Sequence, residues 1–174
     1  MTTIANFDNK KFLEYAISEA IKFLPENISE ENKAYVMESF EGSASRIAGY
    51  LTTDESLKIK NYEQFLSRAY FILEWVFKIL VALVESPIPE ECRRGFVLDI
   101  AYTAYDISTN VSNVGDITAE QMRSTVEFGV LKKVKELLDN IIKEGFITEE
   151  IAQEFWRHPK MDQSVKNVLF TLFS

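Results

Sequence analysis

The chain has 174 residues and a formal net charge of −8 at pH 7, and 47% of its residues are hydrophobic. The negative charge disfavours nucleic acid as a partner, because phosphate backbones are bound by clustered Lys and Arg side chains. The six glycines and four prolines are few for this length, which favours long helices over many short strands. We therefore expect one all-α domain over residues 1–174, an irregular helical bundle of about six to eight helices.

The first predicted helix begins after Asp8, which can cap it, and ends at Pro25. The N-terminus has neither the basic start nor the apolar stretch of an export signal. The single cysteine, Cys92, has no partner for an intramolecular disulfide. A cytoplasmic location is therefore expected.

Ser29 can cap a second helix that carries an unusual stretch of small residues. Gly42, Ser45 and Gly49 fall on one face of this helix. Small side chains at this spacing let another helix approach closely, and we favour that explanation. The alternative is that hydroxyls and Arg46 in this stretch hold a phosphate or carboxylate.

The most apolar segment of the chain, from Phe65 to Val84, predicts a buried central helix over about residues 61–85. Glu74 and Lys78 lie near its middle, on one narrow polar stripe. In a membrane span each charge would cost about 2.5–3.5 kcal/mol, whereas in water the two form an exposed i,i+4 pair. We therefore expect no membrane partner, and insertion of this helix into a bilayer is kept as an alternative.

The chain turns after the central helix, because Pro87 and Pro89 remove two amide donors and fix the backbone. A fourth helix is predicted over about residues 90–112. Thr118 and Gln121 then have the spacing of a capping box, which marks the start of a fifth helix.

The C-terminal part of the chain has three clear boundary signals. Gly145 is well placed to end the fifth helix, and Thr148 can cap a short sixth helix. Pro159 is expected to close that short helix. A last apolar helix follows, from about Gln163 to Phe173.

The central and fourth helices carry the residues that could form a small-molecule pocket. Asp99 and Asp106 are seven residues apart, so their carboxylates point the same way about 10 Å apart along the helix axis. That separation suits a polar or cationic group better than a shared metal ion. Small-molecule sites are typically lined by aromatic side chains together with a few polar groups. The candidate ligand-binding residues are Tyr70, Trp75, Asp99, Tyr102, Tyr105 and Asp106.

Apolar residues in two places are candidates for contact with a partner. Phe71 lies on the polar stripe of the central helix, where a loop or a partner would have to cover it. Phe170, Leu172 and Phe173 lie at the end of the predicted last helix, where we expect them to stay uncovered. We predict that these four residues bind another protein or a second copy of the chain.

Two groups of residues could form a catalytic or metal-binding site, although each also has a simpler structural explanation. Glu154 precedes His158 by four residues, so the carboxylate could orient the imidazole as a base or metal ligand. Cys92 lies beside Arg93 and Arg94, which could lower its thiol pKa. A chain with one histidine cannot supply a di-iron helical site, and a zinc ion needs three or four ligands. We therefore expect no metal, no cofactor and no catalytic residue.

These patterns favour a non-enzymatic protein-interaction or regulatory protein, of adaptor or inhibitor type. The first alternative is a helical domain that binds a small apolar or cationic ligand in an aromatic pocket. The second alternative is an enzyme with an acid/base site that no short sequence motif marks. That site would be either Asp99 with Asp106 or Glu154 with His158.

Overall fold

The computed structural model describes residues 9–53, 62–112 and 119–173, and these residues form seven α-helices without a strand. The helices are α1 (Asn9–Ile21), α2 (Glu30–Thr53), α3 (Tyr62–Glu85), α4 (Glu90–Ser112), α5 (Ala119–Lys143), α6 (Glu149–Arg157) and α7 (Pro159–Phe173). The predicted all-α fold is thus confirmed. The predicted caps Asp8 and Thr118 lie outside the described residues.

The longest run of fully buried side chains lies in α3. Residues 79–83 all have 0% exposure, and α3 contacts α2, α4, α5, α6 and α7. Burial of each large apolar side chain contributes roughly 1.5–3 kcal/mol before the loss of conformational entropy is subtracted. That α3 is the centre of the whole bundle stays a prediction.

The polar stripe of α3 interrupts this apolar surface. Glu74 and Lys78 are partly exposed and Glu85 is exposed, whereas Trp75 and Phe77 beside them are buried. Among the residues that the structure describes, no helix combines the length and apolarity that crossing a membrane requires.

Gly145 ends α5 as its position in the sequence predicts. Its φ is +85°, a left-handed conformation that glycine adopts without a steric penalty. The Gly145 amide donates to the Ile142 carbonyl at 3.0 Å, and the Phe146 amide donates to the Ile141 carbonyl at 2.9 Å. These two bonds form a Schellman motif, which turns the chain sharply towards α6.

The α6–α7 junction contains one confirmed and one incorrect prediction. The Thr148 hydroxyl accepts from the Ile151 amide at 3.3 Å, which is the predicted cap of α6. Pro159 does not merely close α6, because it is also the first residue of α7, four residues before the predicted start. Proline is favoured at this position, since a first-turn amide has no partner within the helix. The His158 carbonyl accepts from the Met161 and Asp162 amides at 2.9 Å and starts α7.

The small residues of α2 do not mark a close helix contact, and that prediction is wrong. A Cβ atom added at Gly42 or Gly49 would meet nothing within 4 Å. The close approach lies instead between α4 and α5, where a Cβ atom on Gly129 would collide with the Ile107 side chain. Small residues permit such an approach but do not say which helix makes it.

Candidate functional site

A groove of about 380 Å³ opens between α1 and α3, and we call it the α1–α3 groove. Phe40 of α2 and Lys160 of α7 also line it. Three of its aromatic residues are substantially exposed: Tyr15 at 49%, Phe23 at 64% and Tyr70 at 38%. The Tyr15 and Tyr70 rings meet edge to face, with 6.2 Å between their centroids. Apolar and aromatic side chains make up most of the lining of this groove.

The spacing of residues in α1 explains why the groove exists. Phe12, Ala16 and Ala20 recur every four residues and are buried, so they form the face of α1 that packs inward. Tyr15, on the adjacent face of α1, and Phe23, just beyond the end of the helix, remain exposed. Because Ala16 and Ala20 line the groove with short side chains, they leave open the space that larger residues would fill.

Sequence reasoning missed Tyr15 and Phe23, although both carried a detectable signal. The apolar pattern of α1 is wider than one buried stripe, and Phe23 lies beyond the last residue of the helix, Ile21. A broad apolar face indicates contact with more than one neighbour. Only the packing of α1 against α2 shows which part of that face stays exposed.

Charged side chains border the groove along α3. Lys78 Nζ lies 3.2 Å from one carboxylate oxygen of Glu74, as the i,i+4 spacing predicts. The other oxygen accepts from Arg123 Nη2 of α5 at 2.8 Å, so the pair is part of a larger network. Lys160 Nζ lies over the Phe77 ring, 5.6 Å from its centroid. Burial, reinforced by the nearby Lys78 charge, lowers the pKa of Lys160.

Glu127 lies beside this network on α5 and is only 7% exposed. Its pKa is raised, mainly because burial penalises the carboxylate. A carboxyl group whose pKa is higher in the folded chain than in the unfolded chain contributes to the free energy of unfolding. This contribution is complete when the pH is below the pKa of the group in the unfolded chain. That stability is lost as the pH rises through the folded pKa.

We therefore expect the Glu127→Gln variant to be more stable than the wild type at pH 7.5, because glutamine needs no proton to be neutral. The difference should shrink as the pH falls towards about 4, where an ordinary glutamate is half protonated. Urea unfolding at both pH values measures it. Glu38→Gln, at an exposed position of α2, is the control. An equal effect of Glu127→Gln at both pH values would contradict this explanation.

His158 does not pair with Glu154 as the sequence suggests. Its Nε2 lies 2.7 Å from an oxygen of Glu85, the last residue of α3. The Lys160 amide donates to Nδ1 at 3.2 Å, so in the neutral ring Nε2 carries the hydrogen and donates to Glu85. Glu154 is exposed. The imidazole therefore joins the α6–α7 junction to the end of α3.

The predicted ligand-binding residues occupy several separate places. Trp75 is buried in the core, with Lys78 Nζ 4.9 Å from its ring centroid. Tyr70 lines the α1–α3 groove, whereas Asp99 and Asp106 are exposed on α4. A pocket shared by all of them stays a prediction.

Two of the predicted ligand-binding residues do come together, through a residue of α2. The Tyr102 and Tyr50 hydroxyls are hydrogen-bonded at 2.9 Å, and this bond raises the pKa of Tyr102. The Tyr105 ring centroid lies 5.7 Å from that of Tyr50. This aromatic contact joins α2 to α4.

The predicted partner-binding residues lie outside the part of the chain whose side chains the structure describes. They are Phe71, Phe170, Leu172 and Phe173. Their role in binding stays a prediction, and the exposed aromatic residues of the α1–α3 groove are a separate candidate surface.

Cys92 does not have the electropositive surroundings that its neighbours suggest. Burial raises the pKa of its thiol, and the charges of Glu91 and Glu144 raise it further. Arg93 donates its Nε hydrogen to the Ile88 carbonyl at 3.1 Å and stacks its guanidinium over Tyr35. Sequence neighbours on a helix point in different directions, so adjacency does not place their charges at the thiol.

A second cleft, of about 660 Å³, lies between α2 and α4 and is lined by charges of both signs. Arg46 and Arg94 face it together with Glu90 and Glu91. Gly42 also lines it, which explains why a Cβ atom added there would meet open space. This mixture of charges gives the cleft no clear preference for anions or cations.

The α1–α3 groove can bury apolar side chains, and Lys160 can attract a negative group to one part of it. Within the described ranges, no three His, Cys, Asp or Glu side chains come together in a group that could hold a metal ion. No protein-family model, curated protein sequence or solved structure matches this chain.

Proposed function

We propose that this chain is a non-enzymatic protein-binding protein that holds an amphipathic helix of its partner in the α1–α3 groove. The observation that carries the proposal is the exposure of Tyr15, Phe23 and Tyr70 along one concave surface. Clustered, exposed aromatic residues are typical of interaction sites, where they supply large contact areas at a small entropic cost.

The dimensions of the groove support a helical partner. Along α3 its lining runs from Tyr70 to Lys78, about 12 Å at 1.5 Å per residue. Two turns of a bound helix cover this distance and present apolar anchors at positions i, i+4 and i+7. A helix lying there would cover the adjacent exposed face of α1, whose other face already packs on α2.

A selection of helical peptides tests this proposal. The library fixes apolar residues at i, i+4 and i+7, randomises the other positions and is selected against the full chain. The double variant Tyr15→Ser with Phe23→Ser should bind an enriched peptide at least about tenfold more weakly, because a loss of 1.4 kcal/mol is a factor of ten and aromatic anchors often exceed it. Fluorescence anisotropy with a labelled peptide measures the affinity.

The matched control is Phe128→Ser with Phe146→Ser. Both phenylalanines are about half exposed, but neither lines the groove. This variant should bind the peptide like the wild type, and circular dichroism checks that both double variants fold. Enrichment of no peptide, or equal weakening in the two double variants, would refute the proposed function.

A further inference from the structure

We infer that the helix bound in the α1–α3 groove carries one acidic side chain that pairs with Lys160, on an otherwise neutral or basic polar face. This inference rests on the proposed function and specifies the chemistry of the partner. The charged side chains around the groove support this inference, because they favour an amphipathic helix with a single acidic residue over a strongly acidic one.

Lys160 is the cation in the groove that remains available. Lys78, which also lines the groove, is held by Glu74 at 3.2 Å. The Lys160 ammonium has no carboxylate within 4 Å among the described residues, and its contact is with the Phe77 ring. A carboxylate supplied by the partner would gain a charge-assisted hydrogen bond there in partly desolvated surroundings.

The acidic groups near the groove are already engaged. Glu19 pairs with Lys22 at 3.1 Å, and Glu74 pairs with both Lys78 and Arg123. Glu85, whose charge also acts on Lys160, accepts from His158. An incoming carboxylate therefore meets an ammonium that no carboxylate of the described residues pairs with, and three carboxylates that are already neutralised or hydrogen-bonded.

The charge of the whole chain limits how acidic the partner can be. At a net charge of −8 the chain repels a strongly acidic helix at long range and disfavours association with a second copy of itself. One carboxylate placed opposite Lys160 uses the local attraction without adding much repulsion. The remaining polar positions of the bound helix should therefore be neutral or basic.

The experiment repeats the peptide selection against the wild type and against Lys160→Glu. The wild type should enrich Asp or Glu at one fixed position beside the apolar anchors, and Lys160→Glu should enrich Lys or Arg at that position. Any substitution except proline keeps the backbone amide that donates to His158, so the start of α7 is preserved. Thermal melting of both proteins checks this.

A synthetic copy of an enriched peptide then isolates the contact. Replacing its acidic residue by the corresponding amide should weaken binding to the wild type about 10- to 150-fold, as expected for a charged hydrogen bond. The same replacement should change binding to Lys160→Met less than twofold, because methionine keeps an aliphatic chain over Phe77 but has no charge.

The outcomes separate this inference from the proposed function. If peptide binding depends on Tyr15 and Phe23 but the selected peptides show no preference for Asp or Glu at any position, the inference is overturned and the proposed function stands. Enrichment of no peptide refutes the proposed function itself. A concentration-dependent dimer in analytical ultracentrifugation, abolished by Tyr15→Ser with Phe23→Ser, would identify a second copy as the occupant and overturn the inference.

Discussion

Replacing Leu80 by Ala should lower the free energy of unfolding by about 2–5 kcal/mol, the range for a buried leucine that leaves a cavity. Leu80 has 0% exposure and lies within the fully buried run of α3. The neighbouring helices pack against α3 on several sides, so the cavity cannot collapse without moving backbone. A domain of ordinary stability would lose a large part of its total by this one change.

Urea unfolding measured by circular dichroism tests this expectation, with an unchanged slope against denaturant showing that the same surface is exposed. Ile21→Ala is the matched control, because Ile21 is 46% exposed at the end of α1. That control should cost about 0.5 kcal/mol or less. If Leu80→Ala cost no more than the control, the enclosure of this position would be disproved.

Replacing Phe155 by Ala should cost about 3–5 kcal/mol and lower Tm by about 6–20 °C for a chain of this size. Phe155 has 0% exposure, and its ring centroid lies 5.9 Å from that of Phe96 on α4 and 5.7 Å from that of Trp156. Aromatic pairs at such distances add about 0.5–1.5 kcal/mol to the energy of burial. The residue therefore anchors the short helix α6, which has few other buried side chains.

Differential scanning calorimetry measures the fall in Tm, and Phe128→Ala is the control for the same change of side chain. Phe128 is 51% exposed on α5, where alanine also favours the helix. We expect the control to leave Tm within about 2 °C of the wild type. Similar Tm values for the two variants would mean that α6 is not held by Phe155.

The sequence did not predict which residues come together in the α1–α3 groove. Tyr70 lines the groove, whereas the Tyr102 and Tyr105 rings, which the sequence predicts in a pocket with it, contact Tyr50 of α2. Periodicity gives the direction of a side chain around its own helix. It does not give the neighbour in that direction, and so Tyr15 and Phe23 could not be joined to Tyr70 in advance.

Helix ends followed from the sequence more reliably, because their causes are local. Gly145 and Thr148 act through the backbone within a few residues, and both lie where the sequence predicts a boundary. Pro159 is the exception, because proline ends one helix and begins another equally well. Which of these it does depends on the residues that follow.

By itself the sequence determined the all-α class, the apolar character of α3 and the Glu74–Lys78 pair, since all three depend on residues within a few turns of one another. Only the tertiary structure decided the α1–α3 groove and the contact between Glu85 and His158, which are 73 residues apart. Contacts of that kind arise from how helices pack against one another, and no local pattern of residues encodes that packing.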